Sequence, residues 1–241
     1  MPTRTGRGTA AAASRSGGPC GSRATVGDTC IRLSRVAKSY GAGPAAVRAL
    51  RAFELEVNVG ELVAIAGRRG SGKTTLIELI GAIQPPTTGE ILVCGRRLDL
   101  LDDRGRLEFR TANVALAPQV PTLAPTLNAY ETISQAARTS QQRRSDRWTH
   151  ALMGAFELGA KPAVPVADLS DEVQQRLSLA RALAKNAPLL LVDEPLPAAT
   201  TEARRHAIAL MRQLVRPDTT VVVTTSDRAA ASLAHRVVEL E

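Results

Sequence analysis

Apolar and polar positions along this chain follow two rhythms. Residues 31–36 (Ile-Arg-Leu-Ser-Arg-Val) and 53–57 (Phe-Glu-Leu-Glu-Val) alternate with period two, as strands with one wet face do. Between them lies the turn-forming run Gly41-Ala42-Gly43-Pro44. Residues 62–66, 189–192 and 220–224 are unbroken apolar or β-branched runs, which predict buried strands. Ile91-Leu92-Val93-Cys94, followed by Gly95, is a further short strand. Helical spacing marks residues 74–80, 127–138, 147–158, 171–185 and 201–215, with Pro162 and Pro165 breaking the chain before 171. Alternation of strand and helix at both ends predicts an α/β fold with a mostly parallel sheet, and the helical middle reads as an inserted lobe.

Chemistry concentrates between the 62–66 strand and the 74–80 helix. Gly67-Arg68-Arg69-Gly70-Ser71-Gly72-Lys73-Thr74-Thr75 fits the phosphate-binding pattern G-x-x-x-x-G-K-[ST] in its required context of strand, loop and helix. Such a loop turns backbone N–H groups and a helix N-terminus toward anionic oxygens. Gly67, Gly70 and Gly72 permit close approach of backbone to phosphate. Lys73 is expected on the β- and γ-phosphates and Thr74 on Mg²⁺. Ser71 and Thr75 complete the cradle, and Arg68 and Arg69 lie at its rim, where they face solvent or phosphate.

A second candidate site follows the 189–192 strand, which ends in Asp193-Glu194. Ligands of α/β sheets gather at the carboxyl ends of strands. Asp193 is therefore a candidate to hold Mg²⁺, directly or through water, and Glu194 to act as base or water-positioning residue for attack on a γ-phosphate.

Composition narrows the alternatives. The 241 residues are 44% hydrophobic, and no apolar run approaches the ~20 residues of a membrane-spanning helix. Residues 1–27 are Gly, Ala, Ser, Thr and Arg with almost nothing to bury, and predict a disordered basic tail, a transit peptide being the alternative; the folded domain is expected over 28–241, with its helical subdomain at about 120–185. Cys20, Cys30 and Cys94 lack metal-ligand spacing and suit a reducing cytosol. The net charge of +8 invites nucleic acid, but only 2% of residues are aromatic, so stacking platforms for bases are absent and no nucleic-acid partner is expected. A loose cluster at Arg143, Arg144 and Arg147 reads as a solvated face.

With these motifs in place, residues 31–240 resemble the ATP-binding subunit of ABC transporters, and are similar to the stand-alone ATPases of the lipoprotein-release, macrolide-export and cell-division branch. The resemblance implies a P-loop NTPase fold: a RecA-like, mostly parallel sheet core, an antiparallel β subdomain and an inserted α-helical subdomain. It rests on Val36-Ala37-Lys38-Ser39-Tyr40-Gly41, on Pro118-Gln119 followed by Thr126-Leu127-Asn128-Ala129-Tyr130-Glu131, and on Leu169-Ser170 ahead of Gln174-Gln175-Arg176 and Ala180-Arg181-Ala182-Leu183. It implies Tyr40 stacked on adenine, Gln119 sensing Mg²⁺ and the attacking water, and Ser170 meeting ATP held by an opposite subunit. Implied partners are a separate membrane permease and a second ATP-binding subunit, in a homodimer or heterodimer, at the inner face of the cell membrane.

Three departures from the family pattern carry consequences. The signature Leu-Ser-Gly-Gly-Gln reads Leu169-Ser170-Asp171-Glu172-Val173, with carboxylates in place of both glycines. A carboxylate ~5 Å from a phosphate charge costs on the order of 3 kcal/mol at an effective dielectric of about 20. Acids in a helix's first turn also suit its dipole, and Ser170 can cap it. Thr225 aligns with the family's switch histidine, and Thr200 with the aspartate that ends the loop after the catalytic glutamate. The expected activity is therefore MgATP binding with slow hydrolysis, coupled to a permease. The alternatives are a hydrolysis-impaired regulatory or scaffold subunit, and a soluble ABC protein acting on DNA or the ribosome.

Overall fold

The computed structural model describes residues 28–139, 146–159 and 163–241. The expectations for the tail 1–27, Cys20, Arg143, Arg144 and Pro162 lie outside the described residues.

Period-two alternation becomes a curved antiparallel sheet. Strands β1 (Thr29–Tyr40) and β2 (Val47–Asn58) form a hairpin joined by a 3-10 turn at Gly43–Ala45. Strand β3 (Leu62–Ala66) leads into helix α1 (Lys73–Ile80), followed by β4 (Thr88–Val93) and the two-residue β5 (Arg96–Arg97). The antiparallel sheet runs β2-β1-β4-β5. Both hairpin strands outrun the 31–36 and 53–57 segments read from the sequence. The reason is a register irregularity between Leu33 and Val36, where Arg35 takes φ 50° and the alternation changes phase. Gly89 of β4 crosses this bend: a Cβ there would stand 2.4 Å from the Arg35 carbonyl oxygen.

Continuous apolar runs become the parallel sheet. Helix α2 (Asp103–Asn113) and strand β6 (Val114–Ala117) precede helices α3 (Ala129–Thr139), α4 (Asp146–Ala155) and α5 (Asp171–Lys185). Strand β7 (Leu189–Asp193), helix α6 (Thr201–Leu214), strand β8 (Thr220–Thr225), the short helix α7 (Arg228–Ala231) and edge strand β9 (Arg236–Glu239) complete the chain. The sheet order is β6-β7-β8-β3-β9, all pairs parallel. Every residue of β3, β7 and β8 is buried, as a strand covered on both faces requires.

The two faces of this sheet belong to two cores. Val63, Ile65, Leu189, Leu191 and Val222 pack with α1 and the antiparallel sheet through Leu76, Ile77, Ile31, Val57 and Ile91. Leu190, Val192, Val221 and Val223 face the other way, onto Ile133, Leu152, Leu177, Ile208 and Met211 of the helices. Helix α1 thus lies between two sheets, buried along most of its surface. Helices α3, α4 and α5 pack on one another, and α5 also touches β6 and β7. Helix α2 and strands β6 and β9 were not legible as periodic segments. Only Phe109 and Asn113 of α2 are buried, β6 carries two alanines in four residues, and β9, Arg-Val-Val-Glu, is four residues long without alternation.

Candidate nucleotide site

The loop after β3 is built as its sequence requires. Gly72 stands just before α1 at φ 95°, and a Cβ there would lie 2.4 Å from the Ala49 carbonyl oxygen of β2. A Cβ on Gly67 would meet the Leu240 carbonyl at 2.4 Å and the Ser71 hydroxyl at 2.6 Å. Only glycine fits at either position. No side chain caps the first N–H groups of α1, which leaves them directed at the loop. The Ser71 hydroxyl is buried and has no hydrogen-bond partner. An orphaned donor beside uncapped amides is the environment an anionic oxygen would complete. Lys73 is 5% exposed; its ammonium donates to the carbonyls of Gly67 (2.8 Å) and Arg68 (2.9 Å) and lies 3.2 Å from Glu194 Oε1. Thr74 is exposed, Thr75 is buried in the first turn, and Arg68, Arg69 and Gly70 face solvent.

Strand β7 delivers both acids to the same place. Asp193 is 3% exposed and accepts a 2.5 Å bond from the Thr224 hydroxyl of neighbouring β8. Glu194 turns out of the strand at φ 46°, and its N–H donates to the Thr224 hydroxyl (3.0 Å) and carbonyl (3.2 Å). One Glu194 oxygen faces Lys73; the other accepts from the backbone N–H of Ser226 (3.1 Å) and from its hydroxyl (3.3 Å). Gln119, exposed on the loop after β6, lines one cavity with Asp193, Glu194, Gln175 and Ser178. The structure therefore brings Lys73, Gln119 and the adjacent pair Asp193 and Glu194 together from three separate segments.

Two expectations change. Thr225 is fully buried at the end of β8, where its hydroxyl accepts from the Asp227 N–H (3.0 Å); the residue that reaches Glu194 is Ser226. The shift of one position follows from strand alternation, since adjacent residues point to opposite sides. Ser170 stands at the N-cap of α5, but its hydroxyl makes no capping bond. Asp171 and Glu172 occupy the first turn of α5, exposed, with Glu172 drawn 3.8 Å from Arg176, which also pairs with Glu157 at 2.8 Å. Thr200 caps α6 by accepting from the Ala203 N–H (3.3 Å). Tyr40 is partly exposed at the end of β1, with its hydroxyl accepting from Gln84 at 2.7 Å and the Lys38 ammonium 5.3 Å from its ring centre. It pairs with Val47, two residues from the Ala49 carbonyl that abuts Gly72.

Residues 50–197 match the family model described as ABC transporter. The chain belongs to the ABC transporter family. Among solved structures, this cassette is similar to the dimeric, post-hydrolysis structure of the ATP-binding cassette MJ0796 bound to ADP and Pi: 29% identity, a TM-score of 0.78, and coverage of 88% of this chain and 94% of that one. A second dimeric structure of MJ0796, described as a bacterial ABC transporter cassette, gives 30% identity and a TM-score of 0.77 over 87% of this chain and 94% of that one. The macrolide export ATP-binding/permease protein MacB of Salmonella choleraesuis (strain SC-B67) is 33% identical over 212 residues, 87% of this chain. MacB 1 of Yersinia pestis bv. Antiqua (strain Antiqua) is 32% identical over 213 residues, 88% of this chain. The cassette spans about a third of the length of these two relatives. Among the described residues, no helix is long and apolar enough to cross a membrane.

Two residues of the site escaped the sequence reading. Thr224 ties both acids to β8, and its only signal was a hydroxyl at the end of a β-branched run. Ser226 stands just past the β-branched run that ends at Thr225, where no local pattern marks it.

Proposed function

We propose that this cassette binds MgATP on the loop after β3 and hydrolyses it slowly, driving a membrane permease partner from the cytoplasmic side. The observation that carries the reading is the convergence of Lys73 and Glu194, 3.2 Å apart and both largely buried, beside the orphaned Ser71 hydroxyl. A buried ammonium paired with a carboxylate stands where a triphosphate would compete for it. Nucleotide takes the ammonium; Glu194, released from Lys73 but still held through Ser226, is then free to orient water. Gln119 shares that cavity and is suited to contact the same water. Tyr40 offers a ring for adenine beside the glycine loop.

Mg²⁺ would be held by Thr74, Asp193 and Gln119, with phosphate oxygens completing its shell, and would neutralise charge on the phosphates. That donor set fits: Mg²⁺ in such sites takes one or two carboxylates plus substrate phosphates rather than a protein cage. No cluster of three or more His, Cys, Asp or Glu that could hold a metal occurs among the described residues.

Slow turnover follows from the closing surface. In the dimer this reading implies, Ser170 and the start of α5 would face the partner's nucleotide, and Asp171 and Glu172 would oppose its charge; the similar cassette MJ0796 is itself dimeric. The partner is a second copy or another cassette, and the permease, on the pattern of the MacB proteins, docks near Gln119 and the helices α3–α5. The domain limits 28–241, and 120–185 for the helical part, belong to the same reading.

Two substitutions test it. Lys73→Ala should weaken calorimetric MgATP affinity at least about 100-fold, through the loss of charge-assisted bonds. Glu194→Gln should keep nucleotide binding and abolish phosphate release. Unchanged affinity in the first, or retained hydrolysis in the second, would refute the assignment.

A further inference from the structure

Arg204 lies one turn into α6, outside the set of residues facing nucleotide, yet its guanidinium spans two segments of the site. Nε donates to the Leu196 carbonyl (3.2 Å), Nη2 to the Pro197 carbonyl (2.7 Å) and Nη1 to Asp227 Oδ2 (3.1 Å). The two side chains are 19% and 11% exposed, so the pair is shielded from salt and water. Leu196 and Pro197 follow Glu194 by two and three residues; Asp227 follows Ser226 by one. One side chain thus fastens the loop carrying Glu194 to the loop carrying Ser226.

The Glu194 loop needs such a fastening. Glu194 and Leu196 both hold left-handed backbone, at φ 46° and 53°, which L side chains disfavour. Pro195 and Pro197 have no N–H to donate. Along this stretch the Glu194 N–H donates to the Thr224 carbonyl and the Ala199 N–H to the Leu196 carbonyl. Asp227, on the other side, is itself anchored: it accepts from the N–H groups of Ala229 (3.0 Å) and Ala230 (3.1 Å) at the start of α7, and its own N–H is held by Thr225.

We propose that Arg204 is a positioning residue for hydrolysis: it clamps Leu196 and Pro197 against Asp227, and so keeps the Glu194 carboxylate on Ser226. The proposal rests on the reading of Glu194 as the water-orienting base. Arg204 touches neither Lys73 nor the glycine loop, so its effect falls on turnover rather than on nucleotide affinity. Arginine is required, because three acceptors in two directions suit a planar fork and not a single ammonium.

The test uses the full chain as four variants: Arg204→Ala, Arg204→Lys, Asp227→Asn and Glu194→Gln. Phosphate release gives kcat and KM, calorimetry gives MgATP affinity and circular dichroism gives Tm. Arg204→Ala should lower kcat about 10- to 100-fold, the scale of a catalytic group displaced by ~1 Å, with KM and affinity within about twofold of wild type. Arg204→Lys and Asp227→Asn should lie between. The proposal is overturned if kcat survives in folded Arg204→Ala, or if kcat and affinity fall together. If Arg204→Ala does not fold, Arg204→Lys decides: a wild-type kcat overturns the clamp, and a reduced kcat at unchanged affinity supports it. Glu194→Gln separates the two ideas, since hydrolysis retained there refutes the role of Glu194 itself.

Discussion

The loop after β3 and the first turn of α5 are both helix N-termini, and they are built in opposite ways. At α1 a glycine holds the N-cap position, no side chain caps the helix, and the buried Lys73 beside it pairs with Glu194 at 3.2 Å. At α5 the first turn carries Asp171 and Glu172 in solvent. The same dipole of roughly half a positive charge is left open to an outside anion at one helix and met by the chain's own carboxylates at the other. The first end can accept phosphate at the cost of one contact, that between Lys73 and Glu194. The second is already satisfied, and its carboxylates repel a phosphate that approaches. On the proposed reading, binding energy for nucleotide and the means of closing on it are separable, the second weakened and the first whole.

The sharpest way to break this contrast is to make α5 resemble α1. Replacing Asp171 and Glu172 together by glycine should raise the rate of phosphate release by about 100-fold, the equivalent of the ~3 kcal/mol of repulsion removed, with MgATP affinity of the monomer unchanged. A rate that does not move would show that closure is limited elsewhere, and the contrast between the two helix ends would lose its functional meaning.

A smaller effect is expected at the end of β8. Ser226→Ala removes the hydroxyl bond to Glu194 and should lower kcat about 10-fold, in line with one hydrogen bond to a charged group. Thr225→Val should act mainly on stability, by about 1 kcal/mol in urea midpoint experiments, because it strips the acceptor from the Asp227 N–H. The reverse ranking of the two variants in turnover would restore Thr225 to the switch position.

The smallest effect concerns the far end of α5. Lys185 donates there to the carbonyls of Arg110 (3.2 Å) and Val114 (2.5 Å), which ties the helix to α2 and β6. Burial, and then the neighbouring Arg110 and Arg181, push its ammonium down from 10.5 to about 8. The unfolded chain thus binds this proton more tightly than the folded one. Below about pH 8 both states are protonated and the burial cost is felt in full. Between about 8 and 10.5 the folded state sheds the proton first, and the contribution of this site to stability rises with pH. Urea midpoints of wild type and Lys185→Met across that window should diverge, with the rising component absent from the variant.

Much of the fold was legible because it is local. The 62–66 strand was found to its last residue, and so was the 171–185 helix, since a fully buried strand and an amphipathic helix write their period into the sequence. Strand β1 was read four residues short at its far end, because its bend at Arg35 reverses the alternation and only pairing, with β4 at Ala37 and with β2 from Lys38 to Tyr40, shows that the strand continues. Helix α2 was missed, as a helix with two buried residues has almost no apolar stripe to read.

The sequence by itself determined that this chain carries a phosphate loop between a buried strand and a helix, a pair of acids at the end of another strand, and carboxylates where its family places glycines. Spacing and residue type suffice there, because the loop's path is set by its main chain and only glycine tolerates its geometry at Gly67 and Gly72. Tertiary structure alone decided that Glu194 faces Lys73, that Ser226 and not Thr225 meets it, and that Arg204 joins the two loops behind it. Those contacts span 121, 32 and 23 residues (194 − 73, 226 − 194 and 227 − 204). Contacts that cross from strand to strand follow from sheet order and register, which no local pattern of apolar and polar residues encodes.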